Sequence, residues 1–288
     1  MFFFFVNGKG ITQTGMTIKL SVVGSPIDHS LSPILHTAAY ELLELDYGYE
    51  KNQVEKGGLA TFAATQKFQA LSVTMPLKQE AYALSTVKSE AAKLTQVVNS
   101  LVFSHGKWIG ENTDVFGLAK VLSSVENLEK ILLIGSGATT RSALLAIAST
   151  APDSTVGISA RNHDALTDVL EFAESLGLSA SAEDLSNQAM ADASLVMSLV
   201  PSGALHLVWD DFAASGKTPK GKLFDVSYLP WPSEAAEAWG NSNAISGIEM
   251  LIWQAIAQVR FFAKHLGSTV TIQDQALYKA MSDTLSNR

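Results

Sequence analysis

The sequence contains no cysteine, which excludes disulfide bonds, thiolate metal sites and cysteine nucleophiles. Charge is also scarce, since Asp, Glu, Lys and Arg make up only 17% of the 288 residues. The formal net charge of −8 argues against nucleic acid as a partner. The six histidines are scattered, so we predict no metal site, and no apolar run approaches transmembrane length.

What the chain does contain is typical of a compact α/β enzyme with two domains, because apolar residues make up 47% of it. The apolar run at residues 1–6 has no basic segment before it, and polar residues follow at once. This pattern argues against a targeting signal. We interpret residues 1–15 as a disordered extension of a cytoplasmic protein, with Met16 as an alternative start of translation.

A lysine stands out after the apolar strand predicted over 70–73. Pro76 suits the first residue of a helix, because its φ is fixed and it lacks an N–H. We therefore predict a helix over 76–86, with Lys78 in its first turn. A cation is unfavourable there, since the N-terminus of a helix carries a partial positive charge. Lys78 is thus a candidate for contact with a substrate, and a solvated surface lysine is the alternative.

Two polar residues farther along the chain could meet this lysine. Asp114 follows a hairpin predicted over 97–103 and 107–109. Its carboxylate either caps the next helix or faces Lys78, and a lysine held by an aspartate suits proton transfer. Asn99 lies inside the first of these apolar strands, where a hydrogen bond to neighbouring backbone is the ordinary explanation.

The first strand–helix unit carries a pair of serines. A strand over 18–23 is followed by a helix from about Ile34, for which Ser32 suits the N-cap and Pro33 the first position. Ser30 is left without a structural role. Two hydroxyls beside free helix N–H groups would also suit a carboxylate. Strands and helices keep alternating through this half of the chain, so we predict a mostly parallel sheet.

A dinucleotide-binding pattern begins at residue 129. A strand, a turn containing Gly135 and Gly137, and a helix follow one another, with Thr140 where a third glycine would stand. The next strand ends just before Arg161. An arginine at that place accommodates the 2′-phosphate of NADP, whereas an acidic residue would bind the ribose of NAD. Residues 116–245 are therefore predicted to form a nucleotide-binding domain.

The C-terminal region is predicted to be helical. Residues 247–262 are apolar nearly all round, which is typical of a helix buried between layers, and a second helix spans 274–285. Gln254 inside the first helix needs a partner, either in domain packing or in a substrate hydroxyl. We expect residues 246–288 to pack back on the first domain, residues 1–115.

These segments together resemble the shikimate dehydrogenase family over roughly residues 18–266, with the motifs in the family's order. The matching segments are HSLSP at 29–33, VTMPLK at 73–78, Asn99, NTD at 112–114, DVSY at 225–228 and GIEML at 247–251 with Gln254. The resemblance implies catalytic roles for Lys78 and Asp114. It implies that the substrate is bound by Ser30, Ser32, Thr74, Asn99, Tyr228 and Gln254. It implies that the cofactor is bound by Gly135, Ser136, Gly137, Ala138, Thr139, Arg161, Asn162 and Gly247.

The resemblance further implies an α/β substrate domain, a Rossmann-type NADP domain and reversible reduction of 3-dehydroshikimate to shikimate, by a monomer or homodimer. Two departures leave a relaxed substrate preference open: Ser72 replaces the usual asparagine, and the residues flanking Asn99 differ from the family pattern. Arg161 has no second arginine close after it. A quinate or dual quinate/shikimate dehydrogenase, and a non-catalytic binding module of the same fold, are the alternatives.

Overall fold

The computed structural model describes residues 17–286, so the interpretation of residues 1–15 and of Met16 lies outside the described part. The strands form two six-stranded sheets. The first sheet contains β1 (Ile18–Gly24), β2 (Tyr47–Gln53), β3 (Ala70–Val73), β4 (Val87–Lys88), β5 (Ser100–Ser104) and β6 (Lys107–Glu111). The second contains β7 (Lys130–Ile134), β8 (Thr155–Ser159), β9 (Ser179–Ala182), β10 (Leu195–Ser198), β11 (Lys222–Asp225) and β12 (Ala244–Ser246).

Helices cover both sheets. In chain order they are α1 (Ser32–Leu42), α2 (Leu59–Thr65), α3 (Lys78–Leu84), α4 (Glu90–Thr95), α5 (Asp114–Leu122), α6 (Ala138–Thr150), α7 (His163–Ser175), α8 (Asn187–Asp192), α9 (His206–Ala214), α10 (Glu234–Trp239), α11 (Gly247–His265) and α12 (Asp274–Ser286). Across residues 17–286, none of these helices is both long and apolar enough to cross a membrane.

The first sheet has the strand order β2-β1-β3-β5-β6-β4. β1 is parallel to β2 and β3, and β4 is parallel to β6. β5 is antiparallel to both of its neighbours, so it alone runs against the other strands. The prediction of a mostly parallel sheet is confirmed. The register places Ser72 of β3 opposite Ser100 of β5, in the middle of the sheet.

The second sheet is parallel throughout, in the order β12-β11-β10-β7-β8-β9. From β7 the chain proceeds outward through β8 and β9, then returns to the other side of β7 with β10. Ligands of open α/β sheets bind at such a reversal of strand order, outside the carboxyl ends of the strands. The end of β7 is where the Gly135 turn begins. The predicted Rossmann-type arrangement is confirmed.

Two helices join the sheets. α5 contributes Leu118 and Leu122 to the core of the second sheet, whereas α11 contributes Ile256 to the core of the first. They cross at Gly117, where a β-carbon would lie only 2.8 Å from the Met250 carbonyl oxygen. The glycine therefore permits a close crossing. As predicted, the C-terminal helices pack against the first sheet.

Two predicted helix starts are wrong by a short distance. α1 begins at Ser32 with Leu31 in the N-cap position, so Ser32 is not the cap and Pro33 is the second helical residue. α3 begins at Lys78 rather than Pro76. The cause in the second case is a turn before the helix, closed by the Leu77 N–H, which donates to the Thr74 carbonyl at 2.9 Å.

Short elements were missed by the sequence reasoning. These are β4, β9, β12, α4, α8, α9 and α10. Most have six or fewer residues, too few for hydrophobic periodicity to separate a helix from a strand. β9 illustrates the difficulty, since its sequence Ser-Ala-Ser-Ala contains none of the branched or aromatic side chains that favour strands.

Candidate active site

Lys78 and Asp114, here called the reactive pair, form an ion pair beyond the end of β3. The Lys78 Nζ lies 2.5 Å from the Asp114 Oδ2, and the two side chains are 14% and 6% exposed. The interpretation of Lys78 as a solvated surface lysine is therefore wrong. Both residues are the first of their helices, α3 and α5. The attraction between the two charges offsets the unfavourable position of the ammonium group at a helix start. The carboxylate is itself favoured at the start of α5, because a helix N-terminus attracts an anion.

The Asp114 carboxylate does not cap α5. The N-cap position belongs to Thr113, and no side chain caps this helix. The second carboxylate oxygen, Oδ1, instead accepts a hydrogen bond from the Asn99 Nδ2 at 2.7 Å. Asp114 thus has one oxygen on a lysine and the other on an amide, which fixes the plane of the carboxylate.

Asn99 is held on its other side too. Its Oδ1 accepts hydrogen bonds from the Thr113 N–H at 2.8 Å, the Thr113 hydroxyl at 3.0 Å and the Ser100 hydroxyl at 2.8 Å. The side chain is 2% exposed. The hydrogen bond from the Thr113 N–H confirms the expectation that Asn99 bonds to neighbouring backbone. Its amide nitrogen also contacts Asp114.

The serine pair lies before and at the start of α1. The Ser30 Oγ accepts a hydrogen bond from the Ser32 N–H at 3.3 Å, and no side chain caps the helix. Tyr228, which follows β11, reaches this segment from the other half of the molecule. Burial raises the pKa of the Tyr228 hydroxyl, and a hydrogen bond with the Leu31 backbone opposes this rise. The part of the chain that forms the second sheet therefore contacts the first part at residues 30–32.

Thr74 and Gln254 make no hydrogen bond with the reactive pair. Thr74 follows β3 and donates its N–H to the Val23 carbonyl at 2.9 Å. A β-carbon on Gly24 would lie 2.4 Å from its methyl group, so the glycine makes room for this crossing. Gln254 is 7% exposed on α11, and its Nε2 donates to the Leu251 carbonyl of the same helix at 3.0 Å.

In the second sheet's part of the molecule, the N-terminus of α6 is uncapped and faces open space. Gly135, with φ of +122°, makes the turn after β7, and the Thr140 hydroxyl donates to its carbonyl at 2.9 Å. Thr140 therefore closes the turn from the place of the missing third glycine. Gly137 is the N-cap of α6, which has no side-chain cap, and a β-carbon there would meet nothing within 4 Å. Free N–H groups facing open space suit a pyrophosphate.

Arg161 and Asn162 lie between β8 and α7. Arg161 is exposed and forms no ion pair with any residue in 17–286. The Asn162 Oδ1 accepts the Ala165 N–H at 3.0 Å and so caps α7. A guanidinium beside a helix start suits a phosphate, so these residues fit the 2′-phosphate of NADP.

The chain is similar to known proteins in sequence and in fold. Residues 22–101 match the family model described as the shikimate dehydrogenase substrate binding domain. The NADP-dependent shikimate dehydrogenase of Nitrosopumilus maritimus is 30% identical over 247 residues, which cover 82% of this chain and 89% of that enzyme. The chain belongs to the shikimate dehydrogenase family. The crystal structure of the shikimate dehydrogenase of Mycobacterium tuberculosis matches with a TM-score of 0.78 and 30% identity, over 94% of this chain and 99% of that one.

Quinate dehydrogenase from Corynebacterium glutamicum, solved with NAD, has the same fold, with a TM-score of 0.76 over 93% of this chain and 99% of that one. At 20% sequence identity, this similarity shows a common fold and nothing about the substrate. Within residues 17–286, no three histidine, aspartate or glutamate side chains are grouped as a metal site would need.

Packing alone explains why a glycine stands at position 247, one of the family's motif residues. A β-carbon there would lie 2.0 Å from the Val226 carbonyl oxygen, and its N–H donates to the Ser227 carbonyl at 3.2 Å. The glycine is thus required by packing, and contact with the cofactor stays a prediction. Asp225 of the same motif accepts the Ser233 hydroxyl at 2.6 Å and so anchors the segment that carries Tyr228.

Sequence reasoning missed two buried or half-buried polar residues near the site. Arg141 on α6 donates to the Thr95 carbonyl at 2.7 Å and to the Asp168 carboxylate at 2.8 Å, so it ties α6 to α4 and α7. Gln258 on α11 is 2% exposed and fully hydrogen-bonded. Its spacing of four residues from Gln254, which places both on one face of a helix, is the signal that could have found it.

Proposed function

We propose that this protein is an NADP-dependent shikimate dehydrogenase, which reversibly reduces 3-dehydroshikimate to shikimate in the cytoplasm. The observation that carries the proposal is the reactive pair: a half-buried lysine held by a buried aspartate beyond the end of β3. The named relative of similar length carries the same activity. An ammonium group that touches a carboxylate suits the transfer of a proton to and from a reacting oxygen.

We assign the two halves of the molecule different tasks. Residues 1–115, completed by 246–288, hold the substrate, with Ser30 and Ser32 on its carboxylate. Residues 116–245 hold NADP, with the pyrophosphate over the start of α6 and the 2′-phosphate on Arg161. The free N–H groups of α6 and the exposed guanidinium support this assignment. Thr74, Asn99, Tyr228 and Gln254 complete the substrate side.

The residues of the chain handle the proton. When bound, NADPH supplies the hydride for the carbonyl carbon, and NADP⁺ accepts it in the reverse direction. Lys78 gives a proton from Nζ to the carbonyl oxygen as that oxygen becomes a hydroxyl, and takes it back in the oxidation. Asp114 orients the ammonium group, and Asn99 holds the carboxylate in place. The low exposure of the pair keeps water away from the transfer.

Steady-state assays with four substrate pairs test the proposal. Shikimate and quinate are each offered with NADP⁺ and with NAD⁺, and reduced cofactor is measured by its near-ultraviolet absorbance. We expect the highest kcat/KM for shikimate with NADP⁺. A higher value for quinate would replace the proposal with a quinate dehydrogenase. No turnover with any pair, in protein that binds shikimate, would favour the non-catalytic module. Sedimentation of the same sample checks our expectation of a monomer or homodimer.

A further inference from the structure

A buried amide on α11 lies behind the reactive pair. The Gln258 Oε1 accepts hydrogen bonds from the Ser72 hydroxyl at 2.8 Å and from the His36 Nε2 at 3.1 Å. Its Nε2 donates to the Asn99 carbonyl at 3.2 Å and to the Ser100 hydroxyl at 3.0 Å. The one side chain thus joins α1, β3 and β5 to α11, and all its polar atoms are used.

Each hydrogen bond around this amide has one possible direction. Burial lowers the pKa of His36 to about 3, so the ring is neutral at ordinary pH and one nitrogen donates while the other accepts. The Gln258 oxygen can only accept, which makes the His36 Nε2 the donor. The His36 Nδ1 then accepts from the Tyr40 hydroxyl at 2.8 Å. Tyr49 donates to Ser72 at 2.6 Å, which leaves the Ser72 proton for Gln258.

The hydrogen bonds continue from Gln258 through Ser100 and Asn99 to the reactive pair. Because the Ser100 oxygen accepts from Gln258, its own proton is left for another acceptor: the Asn99 Oδ1 lies at 2.8 Å and the Thr113 hydroxyl farther away, at 3.3 Å. Ser100 and Thr113 both donate to the Asn99 oxygen, so the Asn99 nitrogen is directed toward Asp114. If the Ser100 hydroxyl were free to turn, one of the bonds that select this orientation of Asn99 would be lost. Gln258 also holds the Asn99 backbone directly.

We propose that Gln258 is a positioning residue for the reactive pair. Through Ser100 and Asn99 it sets the orientation of the Asp114 carboxylate, so that Lys78 is aligned before the substrate binds. Ser72, which departs from the family's asparagine, is one of its partners, so this departure and Gln258 form one structural unit. The inference rests on the proposed function, because alignment of Lys78 matters only if that residue transfers a proton.

The test compares Gln258→Met with the parent and with Val259→Ala. Methionine keeps the length of the side chain and removes its hydrogen bonds. Val259 is the next residue of α11, fully buried in the apolar core, so its truncation supplies a destabilised control outside the network. We expect kcat for shikimate oxidation to fall about 10- to 100-fold in Gln258→Met, since small misplacements of reacting groups have effects of this size. KM for NADP⁺ should stay within about twofold, and Val259→Ala should keep the parent's kcat.

A second measurement needs no turnover. Lys78 is acylated with an amine-reactive reagent and the modified peptide is quantified by mass spectrometry. We expect faster acylation of Lys78 in Gln258→Met than in the parent, because the amine is held less firmly by Asp114, while Val259→Ala reacts at the parent's rate. If Gln258→Met does not fold, Ser100→Ala, which removes one link of the network, replaces it with the same expectations.

The outcomes separate the two proposals. Failure of the parent to oxidise shikimate would refute the proposed function, and the acylation rates would still decide on Gln258. Equal acylation of Lys78 in parent and variant, or a loss of kcat no larger than that of Val259→Ala, would overturn the positioning role.

Discussion

The two halves of the site are built in different ways. On the substrate side, side chains make the structure: Asp114, Asn99 and Gln258 are buried, Lys78 is half-buried, and hydrogen bonds join them. On the cofactor side, the backbone makes it: glycines shape the turn after β7, and the start of α6 is left uncapped and open. Small side-chain changes should therefore damage the chemistry or substrate binding on the substrate side, and cofactor affinity on the other side.

The largest effect is expected for Lys78→Ala. Removing the proposed proton donor should lower kcat by about 10²–10⁴ while the affinity for NADPH hardly changes. Lys93 of α4, whose ion pair with Glu90 is exposed, supplies the control, because Lys93→Ala removes a lysine outside the site. Near-normal turnover of Lys78→Ala, measured beside this control, would remove Lys78 from the mechanism.

A smaller effect is expected for Ser30→Ala. Loss of a hydroxyl that binds the substrate carboxylate should weaken shikimate binding by about 1–3 kcal/mol. The melting temperature should not change, because within residues 17–286 the Ser30 hydroxyl takes part in one hydrogen bond, a long one accepted from the Ser32 N–H at 3.3 Å. Calorimetric titration with shikimate measures the effect, with Ser123→Ala on the surface as control. Unchanged affinity would place the carboxylate elsewhere.

On the cofactor side, Arg161→Ala tests whether Arg161 binds the 2′-phosphate of NADP. The ratio of kcat/KM for NADP⁺ to that for NAD⁺ should fall about tenfold or more, since a hydrogen bond to a charged group contributes about 1.5 kcal/mol or more. Activity with NAD⁺ itself should hardly change. Lys217→Ala, which removes another exposed cation from the same half, is the control. The assignment of Arg161 would fail if the ratio were the same in variant and parent.

The smallest effect is expected for Gly137→Ala. Its φ of −88° suits any residue, and the new methyl group would project into open space, so the protein should fold normally. Both cofactors should bind about threefold to tenfold more weakly, because the methyl group occupies the space assigned to the pyrophosphate. Gly135→Ala is the contrasting variant, since φ of +122° strains an alanine and should lower the melting temperature. Unaltered cofactor affinity in Gly137→Ala would contradict this placement.

The sequence made the two sides predictable to different degrees. The turn at Gly135 and the start of α6 were found because one short motif encodes them. The contact between Lys78 and Asp114 was one of two alternatives that local signals offered, a cation at the start of α3 and an anion at the start of α5. The role of Gln258 was not predicted, since its partners Asn99 and His36 lie 159 and 222 residues away along the chain. Such a network is a product of tertiary packing, which periodicity does not encode.

At two positions, a local preference of the residue type was overridden by a partner distant in the sequence. Ser32 has the residue type of an N-cap, but Leu31 takes the cap position, with Pro33 second in the helix. Ser32 is 6% exposed, and its hydroxyl instead hydrogen-bonds Tyr49. Aspartate is likewise a common cap, but the Asp114 carboxylate contacts Lys78 and Asn99. In both cases the side chain left the local role that its type favours for a partner distant in the sequence.

Direct transfer of hydrogen from shikimate tests the central claim most directly. Shikimate carrying deuterium on C3 is oxidised by the parent protein with NADP⁺, and the reduced cofactor is isolated and analysed by mass spectrometry and NMR. The account predicts that each molecule of NADPH formed carries one deuterium on the nicotinamide ring, whereas unlabelled shikimate gives none. NADPH formed without deuterium, or shikimate left unoxidised by folded protein, would contradict it.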